Sequence, residues 1–259
     1  MFISNPNSPH ISLKPLNFIL WFTLAFQAGA INVGGFITCN RFVTHVTGFA
    51  THFGIDLASG LSIEALSMLM VPLFFLLGCI TSALVIDRRK YLKLKPHYTS
   101  AFFLIGVMLA VISLLGYNHM LGTFEKPSSQ LVVFFLLSTL SYLSGVQNSM
   151  ISLASGLLVR TTHLTGITTD LGVGLVRMFY PQQQREQRKT ELKMNLLRFG
   201  TILSFIFGSM AGGLIFFQWK YLGFLLPAII SLVLAVYSWH HYQRASREAA
   251  HSSHQRVSS

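Results

Sequence analysis

Six stretches of this chain are each long and apolar enough to cross the hydrocarbon core of a bilayer, which is about 30 Å thick and needs roughly 20 helical residues. They run from Leu16 to Thr38, Ala65 to Ile86, Thr99 to Tyr117, Leu131 to Ser152, Leu196 to Phe217 and Leu222 to Trp239. Only 10% of the residues are charged, against 52% hydrophobic, whereas a soluble domain carries about 25% charged residues. A water-soluble fold of this size could not cover its surface with so few ionised side chains. A chain solvated by lipid needs charge mainly in its loops. The expected fold is all-α, a polytopic membrane helix bundle of about six spans.

The first stretch is too long for the apolar region of a cleaved signal peptide and lacks a small-x-small exit, so it reads as retained. Residues 1–15, with Lys14 just ahead of the first span, read as a cytoplasmic segment. Cys39 and Cys79 are the only cysteines. One ends a span and one lies inside another, so neither a disulfide framework nor a metal-ligand spacing is visible, and both read as small packing residues. No cofactor is expected.

The net charge of +11 raises the question of nucleic acid, but its distribution answers it. The basic residues sit in short loops between apolar spans, where orientation signals belong. The loop after the second span holds Arg88, Arg89, Lys90, Lys93 and Lys95 against Asp87. A second cationic stretch holds Arg177, Arg185, Arg188, Lys189, Lys193 and Arg198 against Glu186 and Glu191. If both are cytoplasmic, the chain crosses an even number of times between them. Three largely apolar segments lie there, and the third, from Thr162 to Phe179, carries Asp170 and Arg177. Parity makes it the one that does not cross, lying at the interface or dipping in where protein or water satisfies its backbone. Both termini then fall inside, and of the 19 Lys and Arg only Arg41, Lys126 and Lys220 fall outside. Residues 242–259, rich in Ser, His and Arg, read as a disordered cytoplasmic tail.

The two halves of the chain match each other. The run Thr44-His45-Val46-Thr47-Gly48-Phe49-Ala50-Thr51-His52-Phe53-Gly54 aligns with Thr162-His163-Leu164-Thr165-Gly166-Ile167-Thr168-Thr169-Asp170-Leu171-Gly172, and upstream Gly29-Ala30-Ile31-Asn32 pairs with Gly145-Val146-Gln147-Asn148. Each half, 16–118 and 130–241, reads as a span, a short Thr/Gly-rich helix and two more spans. An odd number of crossings per half sets the second half upside down relative to the first. Inverted repeats of this kind recur in transporters, with the site near the midplane where they meet.

These residues resemble the YoaK-like bacterial membrane proteins, a family without an assigned function. The resemblance covers about Ala25 to Tyr242. It rests on Gly-x-x-Asn in the first span, the Thr-Gly pair that follows, and Arg160-Thr161-Thr162-His163-Leu164-Thr165-Gly166, close to the family's Arg-Thr-Thr-x-x-Thr-Gly. It implies a multipass protein of the bacterial inner membrane and supplies no substrate. Asn32 stands where the family commonly has Asp, and Phe49 where it has Asn after the first Thr-Gly. Any proton coupling through that Asp in relatives would be lost here.

At helical spacing Thr44, Thr47, Gly48, Thr51 and Gly54 form one stripe, and Thr162, Thr165, Gly166, Thr169 and Gly172 form its copy. Such stripes let backbones approach and hydroxyls bond across helices. Alternatively, the hydroxyls and free helical N-terminal amides line a polar path. His45 and His52 share a face, as do His163 and Asp170. Inside a membrane such groups mark a pathway, whereas at the interface they cost little. Asn32, Gln27, Gln147 and Asn148 lie within spans and bond either a neighbouring helix or a solute. Gly208 and Gly212 have the small-xxx-small spacing of helix packing.

Motifs of hydrolases, zinc proteases and phosphate-cradling loops are absent, so no enzyme is expected. A metal site from His45, His52, His163 and Asp170 is compatible with imidazole and carboxylate chemistry but is not the expectation. The leading expectation is a small-solute transporter or channel. Its substrate path is built from Asn32, Thr44, His45, Thr47, Gly48, Thr51, His52, Asn148, Arg160, Thr162, His163, Thr165, Gly166, Thr169 and Asp170. The alternative is a non-transporting membrane partner or assembly subunit in which the stripes only pack helices. The bilayer is the one partner the sequence fixes. It leaves the solute and the oligomeric state open.

Overall fold

The mean hydropathy of the helical window within Met68–Tyr91 is 2.5, yet only 22% of that window is buried. In water the arrangement would be untenable, because the most apolar element would also be the least covered. In lipid it is the expected one. Leu73, Leu76, Ile80 and Leu84 form its exposed flank, and Phe207, Met210, Leu214 and Phe217 form a second exposed flank late in the chain. The chain is a multi-pass membrane protein.

The computed structural model describes residues 15–60, 62–156, 159–180 and 185–257, with the side chains of 15, 16, 46, 47, 62, 64, 67 and 244–257 outside that description. The helices are α1 (Pro15–Cys39), α2 (Val46–Ala58), α3 (Ser62–Ser82), α4 (Arg88–Tyr91), α5 (Tyr98–Tyr117), α6 (Gln130–Ala154), α7 (Leu164–Arg177), α8 (Arg185–Trp219) and α9 (Leu225–Val257). A π-helical turn at Ala83–Asp87 joins α3 to α4, and a 3-10 turn at Lys220–Phe224 joins α8 to α9. The two-residue strands β1 (Gly122–Thr123) and β2 (Lys126–Pro127) pair antiparallel between α5 and α6.

Among the described residues five helical segments are long and apolar enough to cross a membrane. The fifth runs for 59 residues from Arg185 to Gln243 and contains both of the last two stretches expected from hydropathy. The chain reverses inside it at the 3-10 turn, where Lys220 takes φ 51°, so no non-helical loop separates α8 from α9. Helices α2 and α7, of 13 and 14 residues, reach only about 20 Å at 1.5 Å per residue and are too short to span.

Two boundaries differ from the sequence expectation. Helix α8 begins at Arg185, a turn or more into the cationic loop, because Arg, Glu, Gln and Lys are good helix formers and Lys189 pairs with Glu186 at 2.7 Å. Helix α9 continues to Val257 where a disordered tail was expected. Ala245, Ala249 and Ala250 among Arg and Glu are residues of high helix propensity.

Long helices lie together in pairs: α3 along α6, α1 along α8 and α5 along α9, with α1 and α6 also touching. Glycines set the first two pairs. A Cβ on Gly29 would collide with the backbone of Phe205 and Ser209, and one on Gly208 with the backbone of Phe26. Likewise Gly78 faces the Tyr142 backbone and Gly145 faces that of Phe75. The Ser209 hydroxyl donates to Gly29 O at 3.3 Å and the Cys79 thiol to Gly145 O at 3.5 Å. Gly212, against Ala30, completes the packing expected of the pair Gly208 and Gly212. Both cysteines are free.

Gln27, wholly buried in α1, donates to Gln147 Oε1 of α6 and to Ser231 Oγ of α9, both at 2.8 Å, while Gln147 donates to Leu24 O at 2.8 Å. Amides paired this way hold three helices at the centre of the bundle. Short helix α2 rests on α3 and α7 rests on α8.

Candidate functional site

Helix α1 ends at Cys39 and the chain turns back through Asn40, which takes φ 51°. Thr44 then meets Asn32 of α1. Its hydroxyl donates to Asn32 Oδ1 at 2.8 Å and its amide points to the same oxygen at 3.4 Å. In the second half the Thr162 amide points to Asn148 Oδ1, also at 3.4 Å. A span Asn thus receives the residue that leads into each short helix. The two amides and the Thr44 hydroxyl find acceptors within the chain itself.

The next residues, His45 and His163, are the N-caps of α2 and α7, and neither side chain caps its helix. The first backbone bond closing α7 is donated by Ile167 to His163 O at 3.1 Å. The amides of Leu164, Thr165 and Gly166 precede it and have no helical acceptor. The His45 ring lies 5.2 Å from that of Phe42, itself stacked on Phe36 at 4.7 Å.

Both helix starts open onto one cavity of about 800 Å³. Of the residues singled out in the sequence, Thr44, His45, Asn148, Arg160, Thr162, His163, Thr165 and Gly166 line it. Burial holds the His45 imidazole below its ordinary pKa, and the charge His163 carries when protonated pushes the same way. The Thr162 residue is only 4% exposed, and its hydroxyl, like that of Thr161, is buried with no hydrogen-bond partner among the described residues. Among the described lining residues there is no Asp or Glu.

The rest of the expected path lies elsewhere. Asn32 is buried one layer behind, bound to Thr44. Gly48 and His52 are half-buried and do not line the cavity, and Thr51, Thr169 and Asp170 are exposed away from it. The side chain of Thr47 lies outside the described residues. His163 and Asp170 do share a face of α7, but two turns separate them and only the first reaches the cavity. Among the described residues nothing lies within 4 Å of a Cβ built on Gly54 or Gly172, so at these two positions the stripe makes no close helix contact. Among the described residues no three His, Cys, Asp or Glu side chains gather as metal ligands do.

Cys79, Ser149 and Ser152 also line the cavity, although hydropathy hid them inside spans. The Ser149 hydroxyl donates to Cys79 O at 3.4 Å and ties α6 to α3. A second missed feature is the ion pair of Arg41 Nη2 with Asp56 Oδ2 at 3.1 Å, both groups mostly buried. Arg41 looked like a lone external charge because its partner lies a helix away.

Residues 20–237 match the sequence model of a family described as a protein of unknown function (DUF1275). Neither a curated protein nor a solved structure matches the chain.

Proposed function

The chain belongs to the DUF1275 family, whose description assigns no activity, and we propose from the site itself that it is a small-solute transporter or channel working between two inverted repeats. The observation that carries this reading is that the cavity takes the same elements from both halves. Each contributes the Thr-His that opens a short helix, Thr44-His45 and Thr162-His163.

The packing supports the repeat. If α1 corresponds to α6, α2 to α7, α3 to α8 and α5 to α9, exchanging the halves turns the α1–α8 pair into α6–α3 and leaves α5–α9 unchanged, and all of these pairs are present. The contacts of Gly29 with Ser209 map onto those of Gly145 with Cys79. In this reading three crossings per half, with the short helices dipping in, would put both termini on the cytoplasmic face with the basic loops. Short helices that enter and return are tolerated only where their backbone faces protein or water. A cavity at their tips, with Thr, His, Ser, Asn and Arg side chains in its lining, meets that condition.

Flux into liposomes reconstituted with the purified chain tests the reading. His163→Ala, at the cavity, is expected to abolish uptake of a transported solute while the protein stays folded. Asp170→Asn, off the cavity, is expected to leave uptake near the parent level. A folded protein that moves no member of a panel of anionic, cationic and neutral solutes would favour a non-transporting membrane partner instead.

A further inference from the structure

We infer that the cavity between α2 and α7 is a binding site for a small anion, a carboxylate or a phosphate, and this rests on the transport reading only for the claim that the bound anion is also moved. Three observations converge on the charge. Arg160 lines the cavity and has no ion-pair partner among the described residues. Two helices begin there with uncapped N-termini, each presenting a partial positive charge. Free amides at such a terminus are ready donors to a carboxylate or phosphate oxygen. The two imidazoles can only add positive charge, and the described lining residues supply no carboxylate to oppose it.

The fourth observation points to the ligand itself. The Thr162 hydroxyl is buried beside the cavity with nothing to bond, although the equivalent Thr44 hydroxyl is satisfied by Asn32. A buried hydroxyl without a partner is costly. An anion held by Arg160 and the amides of Leu164, Thr165 and Gly166 would give it an acceptor once the Thr162 side chain turns toward the cavity, since its hydroxyl is enclosed as it stands. Gly166 sits where the anion would approach, and its missing side chain keeps that side open. The nearest atom to a Cβ there is His163 Nδ1, at 3.5 Å. A cation would meet the opposite of what it needs, with donors and positive dipoles on two sides.

The test is equilibrium binding of radiolabelled acetate, phosphate, methylammonium and glycerol to the purified full chain in neutral detergent. Saturable binding is expected for acetate or phosphate and for neither methylammonium nor glycerol. Arg160→Gln should weaken it about tenfold or more, the scale of a lost charge-assisted hydrogen bond, Arg160→Lys should restore part of it, and Thr162→Val should weaken it less. The inference is overturned if neither anion binds saturably, if methylammonium does, or if binding is the same in the parent, Arg160→Gln and Thr162→Val proteins. Binding of phosphate only as the head group of phosphatidylglycerol would assign the site to lipid and overturn it for a soluble anion. Flux in liposomes separates the two readings. Anion binding without flux keeps the site and removes the transporter, whereas glycerol flux without anion binding keeps the transporter and removes the anion site.

Discussion

The two entrances to the cavity are built on one pattern and have diverged in how their polar groups are used. In the first half, Thr44 is tied to Asn32, and the cation just upstream, Arg41, is held by Asp56 of α2. In the second half, the corresponding hydroxyl of Thr162 bonds nothing, and the cation just upstream, Arg160, is unpaired among the described residues and faces the cavity. The position that matches Asp56 in the alignment is Gly174. A Cβ there would meet the side-chain ends of Asn195, Arg198 and Glu191 of α8, where Arg198 pairs with Glu191 at 2.9 Å. The second half has no acid at the position of the one that neutralises the first. One half ties its polar groups to one another, and in the other Thr162 and Arg160 have no such partner among the described residues.

That contrast can be broken most forcibly at the ion pair. Asp56→Ala leaves Arg41 charged and largely enclosed, and should destabilise the protein by about 3 kcal/mol. Arg160→Gln, which removes a charge with no partner, should shift stability by no more than about 0.5 kcal/mol. Thermal unfolding of the purified variants in one detergent measures both. Equal losses would mean that Arg160 is also structural.

Next in size is the glycine seam, where the halves should behave alike. Gly208→Leu in α8 and Gly145→Leu in α6 each force a side chain into the backbone of a neighbouring helix, with an expected loss of about 1–3 kcal/mol apiece. A large effect at only one of them would show that the two crossings are not equivalent.

The same conservative change at the two threonines should give different answers. Thr44→Val removes a 2.8 Å bond to a buried Asn and should cost about 1 kcal/mol, whereas Thr162→Val removes a hydroxyl that bonds nothing and should be neutral or slightly stabilising.

The smallest effect is that of pH. Burial, reinforced by His163, lowers the pKa of His45 from its ordinary 6.5, so below that pH the unfolded chain takes up a proton that the folded one resists. Stability from this group is complete above pH 6.5 and declines as the pH falls toward the folded pKa. His97, lowered by burial and then by Arg89, works in the same direction. Unfolding midpoints recorded from pH 7.5 to 5 should therefore fall, and His45→Gln should flatten part of that slope.

Hydropathy located the membrane helices well, since α1, α5 and α6 start and stop within about two residues of their apolar stretches. The self-match pointed to the residues at the cavity mouth because Thr-His recurs where each short helix begins. What hydropathy cannot express is partnership. Nothing in the strings around Arg41 and Asp56 marks them as a pair, and Cys79 reads as packing until α3 and α6 are laid side by side. The Thr/Gly stripes misled for a related reason. Small residues permit close packing but do not summon it, and Gly54 and Gly172 meet no neighbour. The close backbone approaches instead fall at Gly29, Gly78, Gly145 and Gly208, inside the long helices.

The central claim, two halves of opposite orientation meeting at one cavity, is tested most directly by cysteine accessibility in intact cells. With Cys39 and Cys79 replaced by Ala, single cysteines would be placed at Ser59, Leu92, Ser128 and Arg185, all exposed and each in or beside a different connection. An impermeant thiol reagent added outside should label the proteins carrying Ser59→Cys and Ser128→Cys, and reach those carrying Leu92→Cys and Arg185→Cys only after the cells are opened. Labelling of Arg185→Cys from outside would mean that the segment containing α7 crosses the membrane, and the inverted pair of repeats would be contradicted.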